Sequence, residues 1–383
     1  MITKEILEYS VSESDRFKMR VFRGTFENIV AQEIQDFIVN NQVDLAIIRI
    51  PCDKLSQLYK LDRLGFPFLV ADTLVYYYVD LSKYEPRILK NNNLQFIKCE
   101  SYHREILNNL VQAIFSSYTS HYDSNPVLPK ETILEGYKEW ASGYIEGVDE
   151  GEIAWLIQQN GKYVGFATCG YKEIIHEAEG VLFGVLPEAS GAGMYSDIIR
   201  FTQGYFKEIG FSLMKVSTQI HNFAVQKVWG REGFTLKNAY NTIHINSLIN
   251  YSQVPVQSFT ITISQEDIIN YGAISEDYNP IHYSDEYAAG RGLGKKIAHG
   301  LIINAISSKY SGMEYPGNGT LFIGYSYKFL KPLYANNEYF VSISFPKEDI
   351  IKGIYQSLVT VKDSNGELCL FSYNDLLKRQ NRG

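Results

Sequence analysis

Apolar and polar positions along this chain follow two periods, and the period switches repeatedly. Apolar residues spaced three and four apart predict amphipathic helices, and short apolar or alternating runs predict strands. Thr25 to Asn40 reads as a helix and Val43 to Ile50 as a buried strand. Asp53 to Leu64 reads as a helix closed by Gly65, a residue suited to the left-handed turn that ends helices. Leu74 to Leu81 is the next strand. Leu94 to Lys98 then reads as a strand, and His103 to Phe115 and Lys130 to Tyr144 as helices. Ala154 to Gln158 and Tyr163 to Tyr171 form two strands joined by Asn160-Gly161, a dipeptide that favours tight hairpins. Val181 to Leu186 is a strand running into a glycine loop. Helix Met194 to Ile209, strand Leu213 to Gln219, helix Asn222 to Glu232 and strand Asn241 to Ile245 follow.

Ser247 to Gln257 is polar and contains Pro255, which marks a boundary. Beyond it, Ser258 to Ile263 reads as a strand, and Ser264 with Asp267 forms a capping-box start for a helix to Tyr271. A longer helix is predicted from Ala298 to Tyr310. Strands Leu321 to Leu330, Tyr339 to Phe345, Gly353 to Val361 and Leu368 to Asn374 follow, the last pair turning at Asn365-Gly366. One long helix wrapped by an antiparallel sheet is a hot-dog arrangement. The predicted class is therefore α/β followed by α+β, with divisions at 1–92, 93–250 and 256–383. A faint repeat, Leu58-Tyr59 to Gly65-Phe66 against Val228-Trp229 to Gly233-Phe234, makes the first segment read as a degenerate half-lobe beside the second.

Composition changes this picture little. The 383 residues are 45% hydrophobic and 21% charged, ordinary for a globular protein of two or three domains. A net charge of −7 argues against a nucleic-acid partner. Cys52, Cys99, Cys169 and Cys369 form no Cys-x-x-Cys pair, so neither a zinc site nor a disulfide framework is expected, and the reading is reduced thiols in a cytoplasm. The seven histidines show no ligand spacing, so no metal is expected. Met1 to Glu5 does not open a signal peptide, and no apolar run is long enough to span a membrane.

Two stretches carry chemistry. Val185-Leu186-Pro187-Glu188-Ala189-Ser190-Gly191-Ala192-Gly193 joins a strand to a helix opened by Met194-Tyr195. Such a loop frees backbone N–H groups for phosphate oxygens at a helix N-terminus. With Asn222, Trp229 and Gly233-Phe234 downstream, it resembles the GNAT superfamily of N-acetyltransferases. The resemblance implies acyl-CoA binding by Val185, Gly191, Ala192, Gly193, Met194, Tyr195, Asn222 and Trp229. Two residues depart from the pattern. Glu188 stands where Arg or Gln begins the motif, and Trp229 stands where a tyrosine protonates the departing thiolate; indole does not ionise usefully. Ser120-His121-Tyr122-Asp123-Ser124-Asn125-Pro126-Val127-Leu128-Pro129, with Trp140, is similar to the acceptor region of dTDP-fucosamine acetyltransferases and related enzymes. That likeness implies N-acylation of a dTDP-linked amino sugar. His176, Glu177 and Glu179 are candidate bases that spacing does not separate, each also readable as a hairpin charge. His221 reads as a helix-start residue.

The second stretch is Ser275-Glu276-Asp277-Tyr278-Asn279-Pro280-Ile281-His282, followed by Ala298-His299-Gly300. A carboxylate and an imidazole around an Asn-Pro turn can together activate water and move a proton. With Tyr327 to Leu333, this resembles the MaoC-like (R)-specific enoyl-CoA hydratases. The resemblance implies that Asp277 and His282 hold the catalytic water, and that a backbone N–H near Gly300 polarises the thioester carbonyl. His299 reads as structural. Alternatively, Asp277 caps a turn and His282 fills a core, or the pocket only binds acyl-CoA.

Together these features predict a bifunctional acyl-CoA enzyme. Its hydratase would supply a 3-hydroxyacyl-CoA such as 3-hydroxybutyryl-CoA, and its transferase would place that acyl group on a nucleotide-linked amino sugar. The alternative is a plain acetyl-CoA-dependent N-acetyltransferase with an independent or non-catalytic, dimerising hot-dog domain. Family analogy predicts a homodimer.

Overall fold

The computed structural model describes residues 6–146, 151–251 and 255–379. The sequence reading of Met1 to Glu5 lies outside them, as does part of the Ser247 to Gln257 boundary. In chain order the first unit contains β1 (Glu8–Tyr9), α1 (Val11–Phe17), β2 (Val21–Thr25), α2 (Ala31–Asn40), β3 (Leu45–Pro51) and β4 (Phe68–Asp80). It continues with β5 (Leu94–Lys98), α3 (Arg104–Phe115), α4 (Ile133–Glu146), β6 (Glu152–Gln159), β7 (Lys162–Lys172) and β8 (Glu177–Val185). It ends with α5 (Met194–Glu208), β9 (Leu213–Gln219), α6 (Phe223–Arg231) and β10 (Thr235–Asn246). Among the described residues these strands form one ten-stranded sheet, in the order β1-β2-β3-β10-β4-β9-β8-β7-β6-β5. The first segment and the second thus share one sheet, stitched by β10 between β3 and β4.

The feature that matters for function is a fork. Strand β8 pairs in parallel with β9 only from Glu177–Gly180 against Leu213–Val216. Beyond that point β8 continues against β7 to Val185, and β9 continues against β4 to Gln219. Gly180 sits at the vertex, where an added Cβ would stand 2.7 Å from the Phe183 ring and 2.9 Å from Val216. Helix α5 packs beside β8 through Met194, Ile198, Ile199, Thr202 and Phe206, all buried at helical spacing. The Asn160-Gly161 hairpin forms as predicted, with φ of 51° and 77°, the left-handed pair such a turn requires.

The second unit contains β11 (Pro255–Thr262), α7 (Gln265–Ser275), α8 (Asp285–Ala289), α9 (Ile302–Met313), β12 (Thr320–Phe329), β13 (Glu338–Asp349), β14 (Ile354–Asp363) and β15 (Leu368–Lys378). Its strands form an antiparallel sheet in the order β11-β13-β14-β15-β12. The expected capping box is present: Asp267 N–H donates to Ser264 Oγ at 3.1 Å, and Ser264 N–H donates to Asp267 Oδ2 at 2.8 Å. Helix α9 and one face of the sheet share a core that includes Ile302, Ile303, Val341, Ile343, Val359 and Leu370. This is the hot-dog arrangement, following the α/β unit with its fork.

Several boundaries differ from the sequence reading. Helix α2 starts at Ala31 rather than Thr25, because β2 extends to Thr25. The stretch Cys52–Leu64 is 3-10 rather than α, closed by Gly65 at φ 77°. Helix α9 starts at Ile302 rather than Ala298: Ala298 N–H donates to Leu333 O instead, tying that segment to the sheet side.

The two units share a core. The other face of the hot-dog sheet sends Leu358, Leu368, Phe371 and Tyr373 into the cluster built by α2, β2 and β3. Phe371 stacks on Phe66 at 4.5 Å with an interplanar angle of 10°. The Tyr373 hydroxyl donates to Ser247 O, and Lys328 Nζ donates to Arg63 O at 2.7 Å.

Candidate functional sites

The fork opens into a cavity of about 1120 Å³. Val185, Gly191, Ala192, Gly193, Met194, Tyr195, Asn222 and Trp229 all line it, so the residues singled out around the glycine loop converge on one space. Gly191 and Gly193 have φ of 87° and 83°, left-handed conformations that glycine adopts without strain. Trp229 is 3% exposed, and its indole N–H is directed at the Tyr195 hydroxyl. Two phenols, Tyr118 and Tyr195, line the same cavity, and burial pushes both above their ordinary pKa, so both stay protonated at neutral pH.

Of the candidate bases, Glu179 lines the cavity one residue before the vertex. Lys215 Nζ holds it at 3.2 Å and Glu177 at 2.8 Å. His176 lies in the left-handed turn that leads into β8, and neither it nor Glu177 lines the cavity. His221 is exposed, next to Asn222 at the N-cap of α6.

Lys90 was invisible to sequence reasoning. It belongs to the segment between β4 and β5, far from the loop in sequence. The fully buried Asp197 of α5 accepts from Lys90 N at 2.8 Å and from Asn91 N at 2.9 Å. This clamp lays the Lys90 side chain over the loop, its Cδ 3.2 Å from where a Cβ on Gly193 would stand. A cation thus reaches the glycine loop although Glu188 opens the motif.

The opposite end of the cavity is built jointly by the first segment and by the α3–α4 stretch of the second. Glu13, Arg16, Arg23, Arg49, Tyr76, His121, Tyr122 and Trp140 line it. Arg16 pairs with Glu139 at 2.9 Å and Arg23 with Glu13 at 2.9 Å. Arg49 donates to the Tyr76 hydroxyl at 3.2 Å and has no carboxylate within ion-pair distance among the described residues. Of the Ser120 to Pro129 stretch read from sequence as an acceptor region, His121 and Tyr122 line the cavity.

The hot-dog site is built on the turn after α7. Glu276 ends that helix at φ 57°, and Asn279 Oδ1 accepts from Ile281 N at 3.3 Å, turning the chain at Pro280. Asp277 is 48% exposed at its side chain, and Oδ2 stands 3.7 Å from His282 Nε2. His282 Nδ1 donates to Ile297 O at 2.9 Å, which leaves Nε2 as a lone-pair acceptor in the neutral ring. His299, read from sequence as structural, belongs to the same cluster. Its ring stacks on His282 at 3.8 Å, and its Nε2 donates to Asp277 O at 3.0 Å. The three side chains bring ligand atoms within 4.8 Å of one another and could hold a cation. Fold contacts, not spacing, unite them. With Nε2 donating to Asp277 O, the lone pair of the His299 ring is on Nδ1, which is buried and has no hydrogen-bond partner among the described residues. Gly300 N–H has no hydrogen-bond acceptor among the described residues, and an added Cβ there would meet Phe329 at 2.3 Å.

Residues 249–365 match the family of MaoC-like domains. An (R)-specific enoyl-CoA hydratase of Aeromonas caviae is 31% identical over 19% of this chain and 54% of its own length. A 3-hydroxybutyryl-CoA dehydratase of Methylorubrum extorquens is 37% identical over 18% of this chain and 45% of its own. The chain spans about half the length of these curated relatives. A GCN5-related N-acetyltransferase from Sphaerobacter thermophilus superposes with a TM-score of 0.40 at 12% identity, covering 56% of this chain and 65% of that one. No helix among the described residues is long and apolar enough to cross a membrane. The C-terminal unit is a MaoC-like hot-dog domain.

Proposed function

We propose that this chain is a bifunctional acyl-CoA enzyme. Its hot-dog unit hydrates a trans-2-enoyl-CoA to a (R)-3-hydroxyacyl-CoA. Its forked unit transfers an acyl group from CoA to the amino group of a nucleotide-linked, dTDP-type amino sugar. The observation that carries this reading is the pair of acceptors, Asp277 Oδ2 and His282 Nε2, held 3.7 Å apart. A water between them donates one proton to each and keeps its lone pairs free for Cβ. As oxygen adds, its proton passes to the pair and a proton is delivered to Cα. The free Gly300 N–H receives the charge that develops on the thioester oxygen. His299 positions Asp277 through its main chain and packs the His282 ring.

In the forked unit the amine attacks the thioester carbon, the C–S bond breaks, and the ammonium proton leaves toward Glu179. Trp229 cannot supply the proton for the thiolate; the neutral phenols of the same wall can. Both units would use CoA thioesters, and their fusion raises the local concentration of an intermediate. That motivates hydroxyacyl transfer in preference to acetyl transfer.

Mass spectrometry of products tests the scheme, with the full chain, crotonyl-CoA, acetyl-CoA and a panel of dTDP-amino sugars in one reaction. A sugar bearing a hydroxybutyryl group is expected. An acetylated sugar beside free hydroxybutyryl-CoA would mean two independent activities. Absence of any acylated sugar would remove the transferase reading for those acceptors. Asp277→Asn should lower hydration by at least ~10²-fold, as loss of a positioned acid–base group does. Unchanged turnover would remove Asp277 from the mechanism.

A further inference from the structure

Behind the acceptor end of the cavity lies a buried polar chain that neither reaction step uses. His121, on the loop after α3, places Nδ1 2.8 Å from Nε2 of His244 on β10. His244 Nδ1 lies 3.0 Å from Asn125 Nδ2. His244 and Asn125 are fully buried, and His121 is 9% exposed at the cavity wall.

The direction of every bond in this chain is fixed by its far end. Asn125 Oδ1 accepts from Val127 N at 3.2 Å and from Asn246 Nδ2 at 3.1 Å. A flipped amide would set Nδ2 against the Val127 N–H, donor against donor. Asn125 Nδ2 is therefore the nitrogen facing His244, and it also donates to Asn246 Oδ1 at 2.9 Å. His244 Nδ1 must accept, so the proton of its neutral ring is on Nε2 and donates to His121 Nδ1. His121 in turn must carry its own proton on Nε2, which has no partner among the described residues. Burial, the neighbouring imidazole, and the guanidinium groups of Arg23 and Arg49 all oppose protonation, so His121 stays neutral.

We infer that His121 is a fixed hydrogen-bond donor, its proton locked on Nε2 by Asn125 and His244, that positions the acceptor by binding one of its oxygens. A histidine lining such a cavity would ordinarily be the first choice as general base. This chain gives it the opposite polarity. The Arg49 guanidinium, which has no carboxylate within ion-pair distance among the described residues, lines the same end, so the matching acceptor group is an electron-rich oxygen: a hydroxyl, or an oxygen of a phosphate. The inference rests on the transferase reading above for the acceptor, and on geometry alone for the proton.

The two halves separate experimentally. The full chain labelled with nitrogen-15 histidine carries only seven such residues, which single substitutions assign. His121 is expected to show a protonated Nε2 and a bare Nδ1, unchanged from pH 8 to pH 5. A protonated Nδ1, or titration near pH 6.5, would overturn the inference. His121→Phe should raise the acceptor KM about tenfold with kcat nearly kept, as for one lost hydrogen bond to a polar substrate group. His121→Gln, which restores a donor, should recover part of it. A collapse of kcat together with loss of the acidic limb of the pH profile would show a base instead. Should the wild-type chain acylate no amino sugar, the acceptor reading fails while the nitrogen shifts still decide where the proton sits.

Discussion

At the scale of single residues, each site depends on a group whose role its neighbours set. His282 Nε2 is an acceptor because Nδ1 donates the ring's N–H to Ile297 O. His299 looks structural in the sequence and becomes part of the site once it bonds to Asp277 O. Lys90 is held over the glycine loop by the main-chain grip of Asp197. If that lysine meets the pyrophosphate of CoA, Lys90→Ala should raise the KM for acyl-CoA about tenfold, the worth of a charge-assisted bond. The KM for an S-acyl pantetheine, which lacks the pyrophosphate, should not move. Equal changes for both thioesters would place Lys90 outside phosphate recognition.

At the scale of elements, strands and hairpins were legible where pattern and turn chemistry agreed. Strand β9 matches its predicted bounds, and the Asn160-Gly161 turn and the Ser264 capping box appear where expected. The start of α9 was not legible, since Ala298 has helical character and is diverted only by its bond to Leu333 O. The fork between β8 and β9 is a matter of pairing, which no local pattern encodes. Nor could spacing show that His244 of β10 meets the loop after α3. That meeting has a thermodynamic signature. Burial depresses His244 from 6.5 to about 3 and drives His121 well below its usual value. Unfolding would let both rings bind protons below pH 6.5 that the folded chain refuses. Stability is therefore fully present above pH 6.5 and is lost as pH falls from there toward 3, by about 1.4 kcal/mol per pH unit for each ring. Urea midpoints at pH 7 and pH 5 should differ more for the wild-type chain than for His244→Gln. Parallel losses in both would mean that His244 does not remain neutral when folded.

At the scale of the whole molecule, one sheet unites the first two segments and a shared core joins them to the third. The edge strand β12 remains. Leu321, Ile323 and Tyr325 are 43%, 59% and 60% exposed along it, around a β-bulge between Phe322 and Gly324 and beside main-chain groups unpaired among the described residues. An apolar open edge is a template for pairing with another chain. The homodimer proposed on family grounds has its natural seam here. Light scattering should give twice the mass of one chain, and Ile323→Lys should return the monomer. A wild-type monomer at micromolar concentration would contradict this.

The stacking of Phe371 on Phe66 also bears on how the protein can be handled. Leu358, Leu368, Phe371 and Tyr373 form one apolar face of the hot-dog sheet, and residues of the first segment cover it. Cutting the chain between the two sheets would strip that cover and leave an oily surface in water. A hot-dog fragment of residues 255–379 should therefore precipitate or bind hydrophobic dyes on expression, even with its Asp277 turn intact. Polar replacements at Leu368 and Phe371 should restore its solubility. A fragment that is monodisperse without them would show that the face is tolerated bare, and that the first segment is a neighbour of the hot-dog unit and not its wrapper.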